Sequence, residues 1–252
     1  MTDTAGGSPA ERVRAMHHGP HPLVLPNVWD PESARAYAGA GFGVLATSSA
    51  AVALTLGYAD GQTPGVEMLT AVAKIARSVE VPVTADSEDG YGLPAAEFAA
   101  RLLDGGLVGC NLEDSDPADR TLRDPAAQAD YLAAVRAAAG PHLVINARVD
   151  VFVRPAPAGV DAIEEAVRRG RMYLAAGADC VYPILAPAAA IPRLVSEMGG
   201  PVNAMSRPAG PTIAELSAAG VARISFGGGL HTLAMAAVRE LADELAAEVA
   251  AP

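Results

Sequence analysis

The sequence predicts a (β/α)8 TIM barrel with a long C-terminal helix, and three observations carry that prediction. Apolar strand-like runs alternate with 3.6-periodic helical runs along all 252 residues. Proline stands at or near helix starts and glycine just after helix ends, as in Pro31/Gly41, Pro94/Gly105 and Pro125/Gly140. Eight strand–helix units in about 250 residues match the unit count and size of this barrel.

Taken in order, the first unit is a strand at 23–28 and a helix at 31–40, opened by Pro31. The second runs from a strand at 42–47 to a helix at 64–79, and the third from 81–85 to 94–105. The fourth pairs 107–112 with 125–139, and the fifth pairs 143–147 with 160–176. The sixth and seventh pair 179–183 with 188–198 and 201–204 with 212–219. A last strand at 221–226 leads to a long helix near 230–249, where Leu233, Ala237, Leu241, Leu245 and Val249 recur at a spacing of about four. No linker, low-complexity block or charge run divides the chain, so one domain over 1–252 is expected. The competing doubly wound open sheet has no G-x-G-x-x-G to support it.

Composition narrows the function. With 51% hydrophobic and 19% charged residues, the chain can bury a sizeable core, and its mean hydropathy of +0.23 suggests subunit contacts, hence a homo-oligomer. No stretch approaches the roughly 20 apolar residues that span a bilayer. Residues 2–22 lack an apolar run between a basic end and a cleavage site, so neither export nor membrane attachment is expected. Cys110 and Cys180 lie inside strand-like runs and form no disulfide framework, which makes a cytoplasmic location the expectation. A net charge of −11 argues against nucleic acid as a partner. The single lysine, Lys74, lies in a helical run, so no Schiff-base lysine is available at a strand end.

The strands begin apolar and end polar, and barrel active sites form on that C-terminal face. Side chains alternate along a strand, which puts Asp86 with Glu88, Asn111 with Glu113, and Asn146 with Arg148 on common sides. If those sides point inward, three carboxylates and one guanidinium share one mouth. Carboxylates so crowded need a proton or a metal. With no histidine at a suitable strand end, their hard oxygen ligands suit Mg²⁺ or Mn²⁺ rather than Zn²⁺. Arg148 is expected to fork a substrate carboxylate, and backbone amides around Thr47, Ser48 and Ser49 to receive another anionic group.

At these residues the sequence resembles the isocitrate lyase/phosphoenolpyruvate mutase superfamily. The matching segments are Leu25-Pro-Asn-Val-Trp-Asp30, Ala46-Thr-Ser-Ser49, Leu56-Gly-Tyr-Ala-Asp60-Gly61, Ala85-Asp-Ser-Glu-Asp-Gly-Tyr-Gly92, Gly109-Cys-Asn-Leu-Glu-Asp-Ser115, Ile145-Asn-Ala-Arg148 and Val202-Asn203. They keep the family's order over nearly the whole chain. The resemblance implies Asp86 as the direct Mg²⁺ ligand, with Glu88 and Glu113 acting through water. It implies Thr47, Ser48 and Ser49 as a substrate-carboxylate loop, Asp60 near the metal waters, Arg148 as the substrate anchor and Asn203 as an upper-rim contact. It also implies a homotetramer whose subunits exchange the last helix.

Departures from the family choose the reaction. The loop 116–124 has no cysteine, histidine or lysine, where isocitrate and methylisocitrate lyases carry Lys-Lys-Cys-Gly-His. Ser115 stands where the mutase pattern has lysine. What remains resembles the branch with oxaloacetate decarboxylases and lyases for substituted malates. The expectation is a Mg²⁺-dependent carbon–carbon lyase acting on a small 2-oxo or malate-type acid through a stabilised enolate. Alternatives are a phosphonopyruvate hydrolase and a non-catalytic 2-oxo-acid binder. Tyr58 is the leading side-chain proton donor and Trp29 a pocket-floor residue; Cys110 should face the helices.

Overall fold

The computed structural model describes residues 7–116, 121–154 and 159–250. Part of the loop read for its missing cysteine, 117–120, lies outside the described residues. The strands are β1 (Leu23–Val24), β2 (Asn27–Val28), β3 (Leu45–Thr47), β4 (Val83–Asp86), β5 (Gly109–Glu113), β6 (Val144–Val149), β7 (Cys180–Pro183), β8 (Asn203–Met205) and β9 (Arg223–Ser225). Every ladder between them is parallel. One sheet runs β2-β3-β4-β5-β6-β7 and the other β1-β9-β8. A parallel bridge from Val181 to Val202 joins β7 to β8, and β1 and β2 are two halves of one strand interrupted at Leu25-Pro26. The ring is therefore closed: a (β/α)8 barrel. Pro26 has no N–H to give to a ladder, which accounts for the interruption.

The helices are α1 (Pro9–Met16), α2 (Pro31–Gly39), α3 (Ser49–Leu56), α4 (Gly65–Ala76), α5 (Ala95–Asp104), α6 (Pro125–Ala139), α7 (Ala162–Ala175), α8 (Ile191–Met198), α9 (Ile213–Ala218) and α10 (Gly229–Ala250). Two of them are absent from the sequence reading. Ser8 and Glu11 form a capping box that starts α1, and Ala10 and Val13 of that helix pack against Leu25, Val44, Ala46 and Val144 inside the barrel. Helix α1 thus seals the N-terminal end of the ring. Arg14 ties it there, donating to Asp179 Oδ1 at 2.6 Å and to the Leu143 carbonyl at 2.9 Å. Helix α3 begins where a loop was expected. Ser48 caps it, its hydroxyl accepting from Ala51 N, and Gly57 ends it in the left-handed region at φ +87°.

The main core lies between strands and helices, where Leu45, Val83, Ala85, Cys110, Leu112, Ile145 and Ala147 meet Met68, Phe98, Leu102, Leu132 and Val135. Cys110 belongs to this outer layer, and burial raises its thiol to about 12, so it is inert. The intervening positions point into the barrel and are polar toward its C-terminal end. Helix α10 differs from the others: none of its residues is buried, and Leu233, Val238, Leu241, Leu245 and Val249 are exposed. Among the described residues no helix is long and apolar enough to cross a membrane.

Candidate active site

Register places the polar strand ends. Asp86 lies opposite Asn111, Asn111 opposite Asn146, and Glu113 opposite Arg148. A hydrogen-bonded row crosses the three strands: Asn146 Nδ2 donates to Asn111 Oδ1 at 2.8 Å, and Asn111 Nδ2 to Asp86 Oδ1 at 3.3 Å. Beneath it the buried Arg223 donates from Nη2 to Thr84 Oγ1 at 3.2 Å.

Above this row a cavity of about 430 Å³ opens at the C-terminal strand ends. Asp86, Glu88, Glu113, Arg148, Asp60, Ser48 and Ser49 all line it. The Asp86 carboxylate is fixed in place, with Oδ2 accepting from Ser49 Oγ at 2.8 Å and Ser49 N at 3.2 Å. The amide expected to receive a substrate group therefore already meets an internal carboxylate, because α3 opens at that residue. Thr47 is fully buried beneath, its hydroxyl accepting from Asp86 N at 3.0 Å; it sets the strand and does not face the cavity.

Glu88 sits just past β4 in a left-handed backbone conformation, φ +47°, which a non-glycine residue holds only when its surroundings impose it. Gly90 follows at φ +89°, where a Cβ would run into the Tyr131 hydroxyl. Glu88 Oε1 is buried without a hydrogen-bond partner. Burial, reinforced by Asp86, Asp60 and Asp89, pushes its carboxyl up to about 7. Burial likewise raises Glu113, against the pull of Arg148.

Arg148 departs from the expected open fork. Its Nε and Nη2 donate to Asp150 Oδ1 and Oδ2 at 2.7 and 2.9 Å, and Nη1 pairs with Glu113 Oε2 at 2.5 Å. Burial opposes its charge, yet Glu113 and Asp150 hold it above the ordinary arginine value. The crowded carboxylates are thus balanced in part by a guanidinium and by proton uptake. Asp150 is fully buried, takes Ser115 Oγ at 2.6 Å, and is positioned by its own N–H on Asp114 Oδ1 at 2.8 Å. Asp114 in turn accepts from Arg169 at 2.9 Å and Tyr173 at 2.7 Å.

Three further residues expected at the site, besides Thr47, stand elsewhere. Tyr58 points its hydroxyl to Glu67 Oε1 at 3.2 Å, because the segment between α3 and α4 turns Asp60, Gly61 and Gln62 over the cavity instead. Trp29 packs edge-on against His231 with ring centroids 5.1 Å apart. Asn203 is buried inside the barrel, donating to Ser225 Oγ at 3.1 Å, too deep for a rim contact. Asp150, Gln62, Arg154 and Met205 carry no motif in the sequence; all but Asp150 line the cavity, as do Ser115 and the glycines Gly227 and Gly228. Extending the alternation of Asn146 and Arg148 by one step reaches Asp150; no periodic signal marks the others.

A hard cation fits this donor set in one respect and not in another. Three carboxylates from the ends of β4 and β5 face one space, and Glu88 Oε1 lacks any hydrogen-bond partner. Among the described residues, however, no three acidic, histidine or cysteine side chains gather closely enough to ligate one ion directly. The fit is to an ion held directly by one carboxylate and through water by the rest.

The chain is similar to known proteins over most of its length. Residues 13–246 match the family described as phosphoenolpyruvate phosphomutase. The crystal structure of a Burkholderia cenocepacia J2315 protein superposes with a TM-score of 0.87 at 40% identity, covering 94% of this chain and all (100%) of that one. The structure of 2,3-dimethylmalate lyase, a phosphoenolpyruvate mutase/isocitrate lyase superfamily member, superposes with a TM-score of 0.84 at 27% identity, covering 95% of this chain and 86% of that one. The Corynebacterium glutamicum protein named "Probable 2-methylisocitrate lyase 1" is 34% identical over 187 residues, spanning 70% of this chain and 59% of its own length.

Proposed function

Because the chain belongs to the phosphoenolpyruvate phosphomutase family, we propose that it is a Mg²⁺-dependent carbon–carbon lyase for a small 2-oxo acid or substituted malate-type acid. The reaction is decarboxylation or retro-aldol cleavage. The observation that carries this reading is the grouping of Asp86, Glu88 and Glu113 with Arg148 around one cavity at the C-terminal strand ends. The lyase names of two relatives support the reaction class.

Asp86 would hold the cation directly, and Glu88 and Glu113 through water; Mn²⁺ suits the same oxygens. When bound, the ion supplies Lewis-acid charge to the substrate's oxo and carboxylate oxygens. The chain does the rest. Ser49 fixes the Asp86 carboxylate through two hydrogen bonds. Arg148, with three of the five N–H groups of a guanidinium engaged, keeps the remainder for substrate oxygens near Glu113. Ser48 and Asp60 border the space the substrate occupies. No lysine lines the cavity and Ser115 is committed to Asp150, which disfavours phosphonopyruvate hydrolysis.

The same reading makes the chain a homo-oligomer, because α10 leaves Leu233, Leu241 and Leu245 exposed for a neighbouring subunit. The test of the function is a thermal-shift screen of small dicarboxylic and 2-oxo acids, with and without Mg²⁺, followed by product analysis. Asp86→Ala is expected to abolish Mg²⁺-dependent turnover of the acid so found; retained Mg²⁺-dependent turnover overturns the proposal.

A further inference from the structure

We propose that Arg154 determines specificity by taking the far carboxylate of the substrate, so that the site selects short 2-oxo dicarboxylic acids over their monocarboxylic counterparts. The inference rests on the lyase reading above and narrows its substrate class.

Two guanidinium groups line the cavity, Arg148 and Arg154. Their circumstances are opposite. Arg148 is flanked by two carboxylates, Asp150 and Glu113, so its charge is already offset. Arg154 enters no ion pair among the described residues, and its Nε is shielded from solvent with no hydrogen-bond partner. A shielded N–H without an acceptor is costly, and an acceptor arriving with a ligand removes that cost.

The backbone that carries Arg154 is fixed. Arg154 N and Val153 N both donate to the Asp150 carbonyl, at 2.7 and 2.8 Å, in a tight turn directly after β6. One residue, Asp150, therefore anchors Arg148 through its side chain and Arg154 through its main chain. A guanidinium on such a base recognises an anion with little ordering cost.

Charge decides what that anion is. The lining holds five acids, Asp60, Asp86, Glu88, Glu113 and Asp116, against the two arginines. A dianion entering this acidic space needs a cation at each end. The acidic cluster, loaded with its metal, serves the 2-oxo-carboxylate end. Arg154 is the cation left for the other, and a planar fork matches a carboxylate. A monocarboxylate leaves Arg154 as unsatisfied as before, so a site built this way discriminates against it.

Calorimetry on the full chain with Mg²⁺ tests this, using 3,3-difluorooxaloacetate as the diacid and 2-oxobutyrate as a four-carbon acid lacking the second carboxylate. The wild-type chain is expected to bind the diacid at least about tenfold more tightly. Arg154→Gln is expected to weaken the diacid by about 10- to 100-fold while changing 2-oxobutyrate by less than about twofold; Arg154→Lys keeps part of the preference. Melting curves establish that the variants fold. Should Arg154→Gln fail to fold, the wild-type preference and its reduction in Arg154→Lys decide instead. Equal wild-type affinity for both acids, or equal weakening of both in Arg154→Gln, overturns the inference and leaves the lyase reading standing. Failure of wild type to bind either acid overturns the lyase reading, and the inference with it.

Discussion

Asp150 closes both of its carboxylate oxygens around Arg148, Oδ1 on Nε at 2.7 Å and Oδ2 on Nη2 at 2.9 Å, from a position with no solvent exposure. Arg148 is consequently aimed before any ligand arrives. Removing one partner of a buried charge cluster leaves the other uncompensated, at a cost of about 3–5 kcal/mol. Asp150→Ala is expected to destabilise the fold by that order in urea unfolding. The milder Asp150→Asn, which keeps the shape and loses the charge, should fold yet lose affinity for carboxylate ligands. Unchanged stability in both would mean that the fork contributes nothing.

A second buried cluster lies behind the first. Asp114 accepts from Arg169, Tyr173 and the Asp150 amide, so helix α7 supports the strand-end loop through one carboxylate. Arg169→Met is expected to cost about 3 kcal/mol or more, because Asp114 is left buried without its cation. Tyr173→Phe removes only one of the three donors and should cost about 1–2 kcal/mol. Denaturant midpoints for the two variants check the order.

Metal affinity should depend on pH through Glu88. Its carboxyl is raised to about 7 chiefly by burial, then by Asp86, Asp60 and Asp89, so below that pH a proton occupies the group. Cation binding requires the deprotonated form. The Mg²⁺ dissociation constant measured by calorimetry is expected to weaken as pH falls from 8 to 6 (about one unit either side of that value), and Glu88→Gln to flatten the dependence. A constant affinity over that range would count against Glu88 as a participant.

His17 supplies a pH dependence of stability at the opposite end of the barrel. Burial, and secondarily Arg223, lowers it to about 4, so it is neutral in the fold. Its pKa is lower folded than unfolded, so the unfolded chain binds the extra proton first. The stability it contributes is full above about 6.5 and is lost as pH falls toward 4, by on the order of 3 kcal/mol. Melting temperature should fall over that window, and less steeply in His17→Leu.

The barrel and the grouping of Asp86, Glu113 and Arg148 were legible because they follow from periodicity, whereas Glu88 lies past β4 and lines the cavity from a left-handed turn. Strand side chains two apart share a face, and the in-register ladder from β4 to β6 aligns the polar ends. Depth was not legible. A polar residue near a strand end reads alike whether it reaches the cavity, as Ser48 does, or lies beneath it, as Asn203 does. Tyr58 was misplaced because loop direction has no period. Helix α1 escaped notice because its eight residues bury only Ala10 and Val13, too few for a periodic pattern. Helix α3 escaped because its apolar residues favour no face. Arg148 looked free because pairing with Asp150 is a matter of side-chain reach, which spacing does not reveal.

Among the described residues, Ala10 and Val13 plug the N-terminal end of the barrel, and the doorway to the cavity lies at the C-terminal strand ends. Whatever is split inside must depart the way its precursor came. The fragment nearer the doorway leaves first and the one seated below it waits, so product inhibition patterns should reveal an obligatory exit order.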